Sequence, residues 1–246
     1  MTDRTLTIAP QYNGPPRCGQ GGYVSGSLAL CLSKTEPVSA RLHLPTPLGT
    51  PLHVKTSHDE ALLMAEDKLL VTASLAAPLN HIVPPPCPPH DAVVKASALY
   101  RGHEDGALFT TCFVCGAARK DCDGMHVFAG PLDPQTKDEI GVVASHWTPA
   151  LKHCDKNGMV FPQMIWAALD CPGFFAGYPK GKLALLAQFT CEIIKPLNGK
   201  DRATIVGWPI NIDGRKSKVG TALYDQSGDL VAKTEGLWVE VNTLPF

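Results

Sequence analysis

The sequence predicts an α+β protein made of two copies of one unit, each a buried helix followed by an antiparallel meander. Three observations predict it. A proline-rich stretch interrupts the 246-residue chain, reading APLNHIVPPPCPPH from Ala77 to His90. Each flank carries an apolar run rich in small residues, followed by short segments rich in β-branched residues. Those segments are separated by matching turn signals, and a repeat of this kind argues for two copies of one supersecondary unit.

In the first copy, residues 1–77, Thr5–Ala9 reads as a leading strand and Gly21–Leu32 (GGYVSGSLALCL) as a buried helix. The segments Ser39–Leu44, Leu52–Thr56, Ala61–Glu66 and Leu69–Leu75 read as the strands of the meander. Residues 78–106 form the connector. Its prolines forbid a helix interior or a paired central strand, and Asp91–Arg101 then reads as a short helix with an Asp able to cap it.

In the second copy, residues 107–246, Met125–Ala129 and Gly141–His146 read as leading strands. Pro162–Ala176 (PQMIWAALDCPGFFA) reads as the buried helix, with Pro in its first turn. The strands Leu185–Ile194, Ala203–Asn211, Lys216–Tyr224 and Leu230–Val241 follow, punctuated by Asn198-Gly199, Asp213-Gly214 and Ser227-Gly228. Thr46-Pro47-Leu48-Gly49 in one copy matches Lys195-Pro196-Leu197-Asn198-Gly199 in the other.

Composition narrows the function. The hydrophobic fraction of 44% supports a substantial core, and 22 Lys plus Arg against 23 Asp plus Glu leave a net charge of −1. No long-range field favours nucleic acid or an anionic membrane. Met1–Pro10 has no apolar signal region, and no window approaches the ~20 apolar residues of a membrane span. The expectation is a cytoplasmic protein whose nine cysteines are reduced thiols.

Several stretches resemble the hotdog-fold acyl-CoA thioesterase superfamily in its fused, double-hotdog form. They are Asn13-Gly14-Pro15-Pro16 with Gly21-Gly22-Tyr23-Val24, Cys112-Phe113-Val114-Cys115-Gly116 with Asp123-Gly124-Met125, and Trp166-Ala167-Ala168-Leu169-Asp170-Cys171-Pro172-Gly173. The resemblance implies two helix-wrapped antiparallel sheets forming one pseudo-dimeric unit. It also implies hydrolysis of an acyl-CoA or related thioester, with coenzyme A present only as part of the substrate and no other cofactor. A homodimer of fused pairs is compatible with it.

Asp170 is the first candidate for the chemistry. It lies in an apolar helix, where an ionised carboxylate is costly unless partnered or used. Thioester hydrolysis needs such a group to attack the carbonyl or activate water, and donors for the oxyanion. In the phenylacetate-pathway class of hotdog thioesterases, a helix carries His-Gly-Gly and, seven residues after the second Gly, an acidic residue. Here that pattern divides. Phe161-Pro162-Gln163 stands where His-Gly-Gly would precede Asp170, and Gln20-Gly21-Gly22 is followed at the acidic position by Ala29. The resemblance therefore implies one composite site, with Gly21 or Gly22 as donors, Asp170 as base or nucleophile, and Gln20 and Gln163 as polar helpers.

Tyr23, Trp166 and Phe174 are candidates to line an acyl pocket, with Phe175 beside them. Arg215 and Lys216, with Lys218, Lys195 and Arg202 near the other turn, are candidates to hold coenzyme A phosphates. Cys112, Cys115, Cys122 and His126 have a spacing that invites zinc, but their interval is not that of a standard finger, and no metal is expected. Cys171 reads as packing, and so does His146. Two other readings stay open. One is a double hotdog that binds an acyl thioester or apolar ligand without turnover. The other is a hotdog enoyl-CoA hydratase or dehydratase, against which Phe175 counts because one such arrangement needs His there.

Overall fold

The computed structural model describes residues 2–33, 35–120 and 123–244. Among these residues, eleven strands form one antiparallel sheet in the order β1-β3-β4-β5-β2-β8-β11-β10-β9-β7-β6. The first copy supplies β1 (Thr2–Thr7), β2 (Val38–Leu42), β3 (Pro51–Thr56), β4 (Glu60–Ala65) and β5 (Lys68–Leu75). The second supplies β6 (Gly130–Pro131), β7 (Val143–Trp147), β8 (Ala184–Ile193), β9 (Ala203–Asp213), β10 (Lys216–Tyr224) and β11 (Leu230–Glu240). The helices are α1 (Gly21–Ala29), α2 (His90–Ala98) and α3 (Pro162–Gly177).

The two copies meet at one seam. β2 pairs antiparallel with β8, from Val38 opposite Cys191 to Arg41 opposite Gln188. Ser39 Oγ accepts from Thr190 Oγ1 at 2.9 Å and from Gln188 Nε2 at 3.2 Å across that seam. Main-chain pairing thus makes one continuous sheet of the two halves.

Side-chain alternation sets which face each strand buries. In β3, Leu52, Val54 and Thr56 are buried while Pro51, His53 and Lys55 are exposed, the two-residue period of a half-buried strand. β10 is buried along most of its length on both faces. On its inner face Val219 and Leu223 join the main core; on its outer face Ala222 and Tyr224 pack with Val206 and with Cys87 of the connector.

The connector runs extended over that outer face. Glu192 Oε2 accepts from the Leu79 N–H at 3.0 Å, and Lys233 Nζ donates to the Leu79 carbonyl at 2.7 Å. The Tyr224 hydroxyl donates to the Pro85 carbonyl. Side chains of the sheet hold the proline segment because its own backbone lacks the donors for a ladder. α2 then packs through Val93 and Ala96 on Ala144 of β7.

α1 and α3 pack on each other inside the curve of the sheet. Their close approach rests on glycine. A Cβ at Gly22 would lie 2.5 Å from the Trp166 carbonyl oxygen and 2.7 Å from Asp170 Cβ, and one at Gly26 2.7 Å from Trp166 Cβ. These glycines serve helix–helix contact across the two halves, and no bulkier residue fits.

Several expected boundaries differ: the leading strand is Thr2–Thr7 rather than Thr5–Ala9, and the connector helix ends at Ala98 rather than Arg101. α1 ends at Ala29 rather than Leu32, because the Cys31 and Leu32 N–H groups bond three residues back, to Leu28 and Ala29, in a tightened last turn. Met125–Ala129 is not a sheet strand. Met125 and Val127 donate to the carbonyls of Phe113 and Val114 at 2.8 and 2.9 Å, so this segment pairs with the Cys112–Gly116 turn, and only Gly130–Pro131 reaches the sheet edge. Among the described residues no helix is long and apolar enough to cross a membrane.

Candidate active site

Asp170 sits eight residues past the α3 N-terminus and is buried at 3% exposure. Its Oδ2 accepts the Gly22 backbone N–H at 2.6 Å and also a hydrogen bond from Gln20 Nε2. Its Oδ1 is buried with no partner among the described residues. Two residues of the first half therefore grip a carboxylate of the second half by one oxygen and leave the other free.

The α1 N-terminus is built for this. Gln20 is its N-cap, and Gln20 Oε1 accepts the Tyr23 N–H at 2.6 Å. That bond fixes the amide so that its NH2 faces Asp170. The Gly22 N–H is held by Asp170 and the Val24 N–H by the Gln20 carbonyl at 2.9 Å. Of the first-turn donors that a helix leaves unpaired, the N–H of Gly21 is left without a partner among the described residues, and Gly21 borders the cavity below.

Burial raises the Asp170 carboxyl to about 7; the Gly22 N–H works against that rise and the neighbouring Cys112 adds to it. Cys112 and Cys171 sulfurs lie 3.8 Å apart. Hydrogen bonding among the Cys112, Cys115 and Cys171 thiols holds the Cys112 thiol well below its ordinary range and raises the other two.

A cavity of about 240 Å³ opens between the halves and reaches this cluster. Gln20, Gly21, Asp170 and Cys171 border it at the chemical end, and Phe109, Phe174, Phe175 and Trp238 give it aromatic walls. Its first-half wall includes Leu42 to Thr46, with exposed His43 among them.

Sequence reasoning brought Gln20, Gly21, Gly22 and Asp170 together, and they meet. Gln163 does not join them. It stands seven residues before Asp170 on the same helix, roughly 10 Å along the axis, packed where Gly26 passes, and is not among the residues bordering the cavity. Of the expected acyl-pocket residues, Phe174 and Phe175 line the cavity. Tyr23 instead stacks on Tyr12 at 4.0 Å, and Trp166 packs edge-on against Phe189 at 5.6 Å. Arg215 and Lys216 are exposed at the β9–β10 turn and do not border the cavity. His146 is exposed on β7, also away from it. Of the zinc-spaced set, Cys122 lies outside the described residues, and His126 stacks on Phe128 at 5.4 Å. Cys112, Cys115 and Trp238 border the cavity without having been read as site residues. The Cys-x-x-Cys pair was a visible signal; nothing marked Trp238.

By the sequence repeat, the first-half position that corresponds to Asp170 is Ala29. Ala29, Pro162 and Trp166 border a second space between the halves of only about 20 Å³. Ala29 stands there for the carboxylate, and Pro162 has no N–H to offer.

No family model and no curated protein matches the chain. Solved structures do. A conserved protein of unknown function with a hot dog fold from Alicyclobacillus acidocaldarius superposes with a TM-score of 0.64 at 12% identity, over 98% of this chain and 94% of that one. The chain is a double hotdog. The tesB protein of Mycobacterium avium subs paratuberculosis is similar at a TM-score of 0.64 and 12% identity, over 97% of this chain and 93% of that one. An acyl-CoA thioesterase II, TesB2, from Mycobacterium marinum gives 0.60 at 8% identity, over 99% and 94%. At these identities the likeness carries the double hotdog fold and its placement of α1 beside α3.

Proposed function

We propose that this double hotdog hydrolyses an acyl-CoA or related thioester at one composite site between its halves. The observation that carries the reading is Asp170, held through Oδ2 by Gly22 and Gln20, with Oδ1 unpartnered at the end of an apolar cavity. A carboxylate used only for structure would have both oxygens satisfied, because an unpaired buried acceptor is costly.

In this reading the acyl group lies against Phe174, Phe175 and Trp238. The cavity is below the ~300 Å³ at which drug-sized ligands are accommodated, so the nucleotide end of coenzyme A stays outside. Asp170 takes a proton from a water as the water oxygen bonds to the thioester carbon. The oxyanion that forms accepts the N–H of Gly21, at the positive end of α1. Collapse of the tetrahedral intermediate breaks the carbon–sulfur bond, and the proton on Asp170 passes to the departing sulfur. Acid and thiol are the products.

The same geometry supports a second reading, binding without turnover. The Gly22 N–H, an expected oxyanion donor, is already spent on Asp170. One experiment separates the two. Thiol release from short, medium, long and aryl acyl-CoAs is measured for the wild type and Asp170→Asn. The asparagine oxygen can take over the Oδ2 bonds, but the side chain cannot act as a base. A rate that falls ~100-fold or more with folding intact supports hydrolysis. No release from any substrate, with saturable binding of acyl-CoA, supports the second reading.

A further inference from the structure

Three thiols converge at the chemical end of the cavity. Cys112 and Cys115 come from the turn that follows the connector, and Cys171 from α3. Their sulfurs lie within 4.8 Å of one another, all three side chains are buried, and all border the cavity. Cys112 and Cys171 are 3.8 Å apart. Zinc bound tetrahedrally at about 2.3 Å from each sulfur sets its ligand sulfurs roughly 3.8 Å apart. The trio therefore has the spacing of a ligand set, with only the looser edges left to close.

The turn itself is shaped for a charged sulfur. The backbone N–H groups of Val114 and Cys115 lie beside Cys112 and favour a charged sulfur there. Successive N–H groups of this kind form an anion-binding concavity. Gly116 closes the turn, its N–H donating to the Cys112 carbonyl at 2.9 Å, and a Cβ there would lie 2.5 Å from that carbonyl oxygen. Simple packing of small apolar side chains does not ask for three mutually close thiols.

We propose that Cys112, Cys115 and Cys171 bind one zinc ion, with its fourth coordination position open to the cavity. The Cys112, Cys115, Cys122 and His126 spacing shares two of these residues; Cys171 is brought in by the fold, and His126 stacks on Phe128 instead. On binding, the thiols lose their protons and the ion takes up two of the three negative charges. The remaining charge is met by the Val114 and Cys115 N–H groups. Three thiolates more than neutralise the ion's positive charge, so its role is to staple the 112–116 turn to α3 and fix one wall of the cavity. The proposal stands independently of the thioesterase reading.

The test begins with metal analysis of the full-length protein, purified under reducing conditions without chelators. It should carry about one zinc per chain. Exchange with Co²⁺ should give the thiolate-to-cobalt charge-transfer bands and intense visible bands of a tetrahedral sulfur site. Cys115→Ser and Cys171→Ser should each weaken zinc binding ~100-fold or more, while Cys87→Ser, in the connector, should retain it. A wild-type protein without zinc that gives no tetrahedral cobalt spectrum overturns the proposal, and that measurement needs no variant to fold. Full zinc retention in Cys171→Ser also overturns it, since the ligands then lie elsewhere. So does a thiol count showing two of the three oxidised as a disulfide.

Discussion

Gly22 donates its N–H to Asp170 Oδ2 at 2.6 Å across the boundary between two halves of the chain, 148 residues apart in sequence. The contact is possible only because α1 has no side chain there. A methyl at Gly22 would be driven into the Trp166 carbonyl and the Asp170 Cβ, both on the backbone side of α3 and unable to turn away. Gly22→Ala should cost about 1–3 kcal/mol of overpacking and lower the melting temperature by roughly 2–12 °C for a chain of this size. At Gly21 the nearest atoms are 3.2 Å away at side-chain ends, Asp170 Oδ2 and Leu186 Cδ2. Gly21→Ala should melt closer to wild type. Calorimetry of the pair checks the order, and equal losses would count against the close helix approach.

Gln20 is fixed at both ends of its amide, accepting from the Tyr23 N–H and donating to Asp170. Gln20→Leu keeps the bulk and removes both bonds. A hydrogen bond to a charged group is worth about 1.5–3 kcal/mol, so the turnover rate should fall ~10–100-fold. The lost cap should cost a further ~1 kcal/mol of stability. Gln163→Leu, on the same helix as Asp170 but clear of the cavity, should leave the rate within about twofold of wild type, since nothing it touches reacts. Steady-state kinetics with the best acyl-CoA from the panel would decide; equal effects of the two variants would remove Gln20 from the site.

The aromatic residues divide by what they touch. Phe174 and Trp238 border the cavity, so Phe174→Ala or Trp238→Ala should enlarge it and shift the preferred acyl chain toward longer lengths. Trp166 is at 3% exposure in the core against Phe189. Trp166→Ala should leave chain-length preference alone and cost about 3–5 kcal/mol of stability. Relative kcat/KM across the panel, read beside the melting curves, separates the two classes.

That division shows where the sequence was legible. The meander strands are visible from their two-residue period and from turns such as Asp213-Gly214, because local pattern and local geometry agree there. Asp170 stands out because a charge in an apolar helix demands an explanation. The partition of Tyr23 and Trp166 away from the cavity was not legible. Helical spacing says which residues face inward, whereas the inward face here is shared between a cavity and the opposite helix. The Cys112–Cys115–Cys171 cluster was hidden for a related reason. Its members join a turn to a helix across the 55 residues between Cys115 and Cys171, a proximity set by tertiary packing. Met125–Ala129 has strand composition, yet its main-chain partners are Phe113 and Val114, and composition does not name a partner.

His153 offers a prediction that depends on neither the reaction nor the metal. It closes the short turn Leu151–His153, is 1% exposed, and stands edge-on to Phe113 at 5.7 Å. Both ring nitrogens are buried without a partner among the described residues. Burial, with the neighbouring Lys152 charge added, lowers its pKa from 6.5 to about 4. The unfolded chain therefore binds more protons than the folded one between these values. The contribution of His153 to stability is complete above about pH 6.5, falls as the pH drops through that window, and levels off below about pH 4. The full loss is at most about 3 kcal/mol. His153→Phe keeps a buried ring against Phe113 and cannot take up the proton. Its urea midpoints from about pH 7.5 to about pH 4 should decline less steeply than those of the wild type. Parallel curves would mean that His153 is charged or solvated in the folded protein, and that the acid limb belongs to other groups.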